Sequence, residues 1–135
     1  MSDLLVLVDN LFFQARIQAT AARVGLPVRV VHTGADLIRQ VHEAAPSLII
    51  VDLTARDQPL EAIRQIKQSG CPAPVLGYLP HTLTELAEQA AAAGCDRVLA
   101  QGPFTQQLPA LLAEAAGRVR REGAAEATGE GWEGS

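Results

Sequence analysis

The chain has 135 residues, 48% of them apolar, and this length fits one domain that can bury a core without disulfides or metals. Its net charge of −4 argues against a nucleic-acid surface, and no apolar run approaches the roughly 20 residues that a membrane span needs. The acidic start, with no secretory leader pattern, favours a cytoplasmic protein without a nucleic-acid or membrane partner.

The predicted elements alternate between strand and helix from one end of the chain to the other. A continuous apolar run at 4–8 is typical of a strand covered on both faces, and apolar residues at helical spacing follow it until Gly25. The second strand, at 28–31, precedes a helix that Thr33 caps and Pro46 ends. The third strand closes at Asp52.

The second half of the chain continues the alternation. Pro59 is well placed to open a third helix, and 74–79 forms a fourth strand. The segment Thr82–Glu85 resembles a capping box and predicts the start of an alanine-rich fourth helix, which ends at Gly94. A fifth strand at 97–100 leads to a last helix after Thr105. Five strand–helix units predict an α/β fold with a doubly wound parallel sheet.

The domain is expected to cover 1–122. Residues 123–135 are mostly Gly, Ala and Glu and predict a flexible tail, because they bury too little apolar surface to order themselves. Cys71 and Cys95 stand alone, without metal-ligand or disulfide spacing, and are expected to be two small buried thiols.

Two apolar strands each end in a carboxylate, Asp9 and Asp52. Because ligands in open α/β sheets bind at the carboxyl edge of the strands, these residues predict one acidic pocket there. Two neighbouring negative charges need compensation, by a cation, by Arg56, or by a raised pKa of one carboxyl. If they stay unpaired, removing one should stabilise the fold. Phe12 and Phe13 follow Asp9, and both are expected in the core, with Phe12 beside the pocket.

Several short motifs, in this order and spacing, resemble the response-regulator receiver domain of bacterial two-component signalling over roughly residues 4–121. The motifs are Val8-Asp9-Asn10, Ile49-Ile50-Val51-Asp52-Leu53, Pro74-Val75-Leu76, and Gly94-Cys95-Asp96 leading into Pro103-Phe104. The resemblance implies the flavodoxin-like (CheY-like) fold, with a five-stranded parallel sheet of order 2-1-3-4-5 and helices divided two and three between its faces.

The resemblance also assigns roles at the acidic pocket. It implies that Asp52 is the position that accepts a phosphoryl group from a histidine kinase. It further implies that Mg²⁺ is held by Asp9, Asn10 and Asp52 together with the backbone carbonyl of Thr54.

The chain departs from the family pattern at four positions of this pocket. Asn10 replaces the second acidic metal ligand, and Leu79 stands where a hydroxyl normally contacts the phosphoryl group. Gln101 stands in place of the family's lysine, with Gly102 inserted before the proline, and Val98 replaces the aromatic switch residue. Losing the cation and losing the hydroxyl should each remove on the order of 2–4 kcal/mol of transition-state stabilisation for phosphoryl transfer. We therefore expect a degenerate receiver, or pseudo-receiver, with weak or absent Mg²⁺.

Three functions remain open from the sequence. The first is a stand-alone degenerate receiver acting through a protein partner or a homodimer, with the alanine-rich fourth helix and fifth strand as a candidate contact surface. The second is a receiver that still accepts phosphate at Asp52 with altered chemistry. The third is a small flavodoxin-like ligand-binding domain, which the missing glycine-rich loop after the first strand disfavours. The sequence shows no nucleophile–base pair, so it does not predict an enzyme.

Overall fold

The computed structural model describes residues 3–128, with side chains through Val119, and contains a five-stranded parallel sheet of order β2-β1-β3-β4-β5. The strands are β1 (Leu4–Leu7), β2 (Val28–Val31), β3 (Leu48–Asp52), β4 (Val75–Leu79) and β5 (Arg97–Ala100). The helices are α1 (Leu11–Arg23), α2 (Gly34–Glu43), α3 (Pro59–Gln68), α4 (Thr84–Ala93) and α5 (Gln101–Thr128). The predicted fold class and strand order are confirmed.

The sheet separates two apolar layers. Side chains of α1 and α5 pack on one face around Phe104 and Ile17, and those of α2, α3 and α4 pack on the other around Leu37 and Ile63. All four residues of β1 and all five of β3 are buried, as expected for strands covered on both sides. The predicted division of the helices, two and three, is confirmed. No described helix is both long and apolar enough to cross a membrane.

Helix starts follow the sequence signals at two places and depart from them at two. The Thr33 hydroxyl accepts a hydrogen bond from the Asp36 amide at 3.0 Å, and Pro59 is the first residue of α3. The predicted capping box at Thr82–Glu85 is wrong, since the residue before α4 is Leu83, which makes no side-chain cap. The Leu83 amide donates to the Pro80 carbonyl, and this turn moves the helix start one residue beyond Thr82.

The last helix begins at Gln101, five residues before the start that the sequence predicts after Thr105. Pro103 is tolerated there because the first amides of a helix have no partner within it. The helix continues to Thr128, so it includes six residues, 123–128, of the predicted tail. The rest of that tail, 129–135, lies outside the described residues, and the domain division stays a prediction.

Arg29 on β2 ties the start of β1 to the end of α2. Its guanidinium donates to both carboxylate oxygens of Asp3, at 2.6 and 2.9 Å, and to the backbone carbonyls of Gln40 and Ala44, at 3.0 and 2.7 Å. Asp3 is only 8% exposed. A buried carboxylate needs such a partner. The contact therefore stabilises the amino ends of β1 and β2, at the end of the strands opposite the acidic pocket.

We predict that Arg29→Met lowers the free energy of unfolding by about 2 kcal/mol, because Asp3 would stay buried without its cation. Arg39→Met is the matched control, because Arg39 pairs with Asp36 at an exposed position and should cost less than about 1 kcal/mol. Urea denaturation of both variants measures the difference. Equal effects would show that the Asp3 contact is not a significant source of stability.

Candidate functional site

Parallel pairing of β1 with β3 brings the two acidic strand ends to one edge of the sheet. Leu4 pairs with Leu48 and Leu7 with Val51, so Asp52, the last residue of β3, and Asp9, just after β1, lie at the carboxyl ends of adjacent strands. The loop from β3 to α3 passes over the same edge and contributes Thr54 and Arg56. This is the carboxyl edge at which open α/β sheets hold their ligands.

Asp52 is 3% exposed and is held by the loop that follows it. Its Oδ1 accepts hydrogen bonds from the Thr54 amide at 2.9 Å and from the Thr54 hydroxyl at 2.7 Å. The side chain thus closes a tight turn on its own backbone, a common arrangement for aspartate. Among the described residues, no hydrogen bond reaches the other carboxylate oxygen, Oδ2.

Arg56 supplies the cation of the acidic pocket. Its Nε lies 3.1 Å from Asp9 Oδ2, and one terminal nitrogen lies 3.4 Å from Oδ1. The hydrogen bond from Arg56 and its positive charge hold the pKa of the Asp9 carboxyl below its usual range. Of the three forms of compensation open from the sequence, the structure shows the arginine. Asp9 has this partner, so the condition under which removing one acid should stabilise the fold does not hold for Asp9.

Asn10 caps helix α1. Its side-chain oxygen accepts hydrogen bonds from the amides of Phe12 at 2.8 Å and Phe13 at 3.1 Å. Asparagine before an apolar helical run is a standard N-cap signal, whereas the family resemblance gave Asn10 only as a departure from a metal ligand. The cap uses the one atom through which asparagine can bind a hard cation.

The donor set does not fit Mg²⁺ as it is arranged. Both Asp9 oxygens contact Arg56, and the Asn10 oxygen is engaged in the cap. The described residues contain no group of three or more His, Cys, Asp or Glu side chains arranged to hold a metal. Mg²⁺ favours several oxygen ligands in near-octahedral order, and a neighbouring guanidinium repels it.

The three residues predicted as degenerate switch positions bring no charge to the acidic edge of the sheet. Leu79 is 3% exposed and packs in the layer of α2, α3 and α4, and Val98 packs against the same layer. Gln101 is half-buried at the first position of α5. Neither Leu79 nor Val98 has a group that can donate a hydrogen bond, and Gln101 has no positive charge.

Tyr78 carries a buried hydroxyl near the acidic edge of the sheet, which the sequence did not predict. It pairs with Asp52 across β3 and β4, and its ring stacks on Phe104 with centroids 4.3 Å apart and contacts Phe13 at 5.0 Å. The hydroxyl is buried and has no partner among the described residues. Burial, and then the charge of Asp52, raise the Tyr78 pKa far above its usual value. The phenol therefore stays protonated beside the carboxylate.

Phe12 lies outside the core, contrary to expectation. Its side chain is 87% exposed, and the neighbouring Leu11 is 76% exposed. Phe13 takes the core position on the aromatic cluster, as expected. Phe13 shares one helical stripe with Ile17 and Ala21, which pack on the sheet, and Phe12 lies off that stripe.

The loop that carries Arg56 has an unusual backbone. Asp57 and Gln58 have φ values of +72° and +61°, in the left-handed region that non-glycine residues rarely occupy. The loop packs on α2 so closely that a Cβ at Gly34 would lie 2.5 Å from the Asp57 carbonyl oxygen. Glycine at position 34 is thus required for the loop position that brings Arg56 to Asp9.

The two cysteines precede β4 and β5, so they lie at the amino ends of the strands, away from Asp9 and Asp52. Both are free and half-buried, less buried than expected. Burial raises the pKa of Cys95 to about 11, with a further rise from Asp96 that Lys67 opposes. A thiol with such a pKa is a poor nucleophile.

Comparisons with known proteins agree with this geometry at the level of the fold. No family model matches the chain. The transcriptional activator protein ExaE of Pseudomonas putida is 35% identical over 99 residues, which cover 70% of this chain and 43% of that protein. The chain therefore spans less than half the length of this curated relative.

Solved structures of receiver domains have a similar fold. The receiver domain of NtrX from Brucella abortus matches 84% of this chain and 97% of its own, with a TM-score of 0.71 and 22% identity. The receiver domain of sensor histidine kinase PA1611 from Pseudomonas aeruginosa was solved with magnesium in its active site cleft. The match covers 86% of this chain and 98% of that domain, with a TM-score of 0.73 and 23% identity.

A response regulator from Burkholderia pseudomallei with a phosphorylated aspartic acid matches 93% of this chain and 75% of its own, with a TM-score of 0.71 and 26% identity. The chain has the receiver-domain fold. Within that fold, Asp52 closes the third strand of the sheet, and Asp9 and Asn10 follow the first.

We predict that Arg56→Gln returns the pKa of Asp9 toward its ordinary value. A carboxyl whose pKa is lowered by folding contributes stability above its unfolded pKa of about 3.9 and loses it as the pH falls through the folded pKa. The variant should therefore lose less stability on acidification. Carboxyl ¹³C NMR titration measures the shift directly.

Asp96 is the internal control for this titration. Although partial burial raises it, hydrogen bonds from Lys67 and from the Val75 amide lower its pKa overall, and none of these groups contacts Arg56. Its titration should not change in Arg56→Gln. An Asp9 pKa that also stays unchanged would contradict the ion pair.

Proposed function

We propose that the chain is a receiver-like signalling module of two-component type that acts through protein contacts, without conventional phosphorylation at Asp52 and without enzymatic activity. One observation carries the proposal: the polar groups of the pocket already bind one another. Arg56 pairs with Asp9, Asn10 caps α1, and Thr54 holds Asp52. The receiver-domain fold of the structural neighbours supports the signalling class.

The chemistry of phosphoryl transfer supports the degenerate assignment. Transfer depends on cations and donors that stabilise the equatorial oxygens of the phosphoryl group. Leu79 offers no donor and Gln101 no positive charge. Arg56 is a cation near the site, but its guanidinium is committed to Asp9 and lies at a position that is 87% exposed. An exposed charge stabilises a transition state far less than a buried one.

A second candidate, a receiver that accepts phosphate at Asp52 with altered chemistry, is favoured by one observation. Asp52 Oδ2 accepts no hydrogen bond from the described residues, so one carboxylate oxygen is left to act as an acceptor atom. The similar response regulator from Burkholderia pseudomallei carries a phosphorylated aspartic acid. The two candidates differ in whether Asp52 can be labelled.

The partner is proposed to be another protein or a second copy of this chain. The predicted contact through α4 and β5 stays a proposal. Helix α4 buries Ala90 and Ala93 against the sheet and leaves Ala91 and Ala92 exposed. Strand β5 is an edge strand of the sheet.

We predict that incubation with acetyl phosphate or phosphoramidate and Mg²⁺ leaves the intact mass unchanged, because the hydroxyl and the cation at positions 79 and 101 are both missing. Asp52→Asn is the control. A mass increase of one phosphoryl group in the parent, absent from Asp52→Asn, would establish the second candidate instead. Labelling restored by Leu79→Thr with Gln101→Lys would support the assigned positions.

We predict that millimolar Mg²⁺ does not raise the melting temperature. A site filled at a hundred times its Kd would add about 2.7 kcal/mol, which shifts the melting temperature of a domain of this size by several degrees. Arg56 occupies Asp9, so no such shift is expected. A rise in the parent that disappears in Asp9→Asn would show a working metal site.

A further inference from the structure

Helices α1 and α5 leave an open groove of about 440 Å³ on the outer side of their contact. Its floor includes the buried side chains of Thr20 and Leu108. One face of α1 forms its longer wall, and α5 forms the other, with these exposed side chains: Phe12, Ala15, Arg16, Ala19, Arg23 and Pro109. Along α1 the wall runs over twelve residues, from Phe12 to Arg23, or about 17 Å.

Phe12 gives this groove an apolar end. A phenylalanine that is 87% exposed, next to Leu11 at 76%, forms one of the most apolar surfaces among the described residues. Isolated exposed apolar residues are ordinary, but here two large ones adjoin a groove whose alanines add further apolar surface. An aromatic side chain at such a position is a typical anchor in protein–protein contacts.

The groove is also positively charged in a chain of net charge −4. Arg16 and Arg23 line it, no lining residue is acidic, and α1 contains no Asp or Glu at all. Neither arginine pairs with a carboxylate among the described residues. They lie seven residues apart, which is two helical turns, or about 10.5 Å.

Pro109 interrupts the hydrogen bonding of α5 beside the groove. It lies inside α5 and has no amide hydrogen, so it cannot donate to the carbonyl of Thr105 one turn earlier. Both residues line the groove.

We propose that the α1–α5 groove binds an acidic amphipathic helix of a protein partner. An apolar side chain of that helix would pack on Phe12, and two carboxylates spaced two turns apart would pair with Arg16 and Arg23. A helix fits because the space between two packed helices accepts a third by ridges-into-grooves packing. The inference rests on the proposed function only in assuming action through protein contacts, and it is independent of the chemistry at Asp52.

Other occupants fit the observations less well. A symmetric second copy would place Arg16 and Arg23 against the same arginines, and like charges in contact are repulsive. Nucleic acid binding draws on many phosphate contacts, whereas this surface has two arginines beside an exposed aromatic and alanines in an acidic chain.

The test is a selection of phage-displayed helical peptides, randomised on one face, on the immobilised full chain. Enriched peptides should carry two Asp or Glu residues seven positions apart with an apolar residue nearby. Fluorescence anisotropy should then show affinities lowered about tenfold by Phe12→Ala and about tenfold by Arg16→Glu with Arg23→Glu. Circular dichroism checks that the variants fold.

Arg39→Glu with Arg64→Glu is the matched control. It changes the net charge equally at exposed positions on α2 and α3, on the opposite face of the sheet, and should alter peptide affinity less than about twofold. Similar losses in both double variants would show only a net-charge effect and overturn the proposal.

Three further results would also overturn it. The first is enrichment of peptides without acidic bias, or of none at all. The second is binding of the parent to phosphatidylserine vesicles or to a DNA duplex that Arg16→Glu with Arg23→Glu abolishes. The third is a dimer seen by light scattering that Phe12→Ala dissociates, which would assign the groove to a second copy. A phosphoryl label at Asp52 would contradict the proposed function and leave this inference standing.

Discussion

The ion pair between Arg56 and Asp9 compensates the negative charge at the carboxyl edge of the sheet. Parallel pairing of β1 with β3 forces Asp9 and Asp52 to the same edge, where two carboxylates repel unless a cation is near. The cation comes from the loop that follows Asp52, at 3.1 Å from Asp9. That loop reaches Asp9 through two left-handed residues and a close approach to Gly34. Strand pairing, loop conformation and pocket charge are therefore parts of one arrangement.

Sequence patterns predicted the strands well because each strand is a continuous apolar run covered on both faces. They failed where backbone contacts between neighbouring segments decide. A turn at Pro80 displaced the start of α4 from Thr82, and the unpaired amides of the first turn allowed α5 to begin at Gln101, before Pro103. The position of Phe12 failed for a different reason, since it lies off the stripe of Phe13, Ile17 and Ala21 that α1 packs on the sheet.

The candidate site shows the same division between residue identity and geometry. The sequence pointed to Asp9, Asn10, Asp52 and Arg56, and all four lie at the carboxyl edge of the sheet. It could not tell which group compensates the carboxylates, because the reach of Arg56 depends on positive φ values at two non-glycine residues, 57 and 58. No residue-type signal predicts that conformation at Asp-Gln.

Asn10 connects the pocket with the surface of α1. Its side-chain oxygen accepts a hydrogen bond from the amide of Phe12, so the residue that departs from the metal-ligand pattern also caps the helix turn that carries the exposed aromatic side chain. An aspartate at position 10 would cap the same two amides equally well, and Arg56 would still pair with Asp9. Restoring the acidic residue alone would thus leave both Asp9 and the cap engaged. On the proposed function, the departure from phosphoryl chemistry is shared among Asn10, Arg56, Leu79 and Gln101, and reversing one of them leaves the others in place.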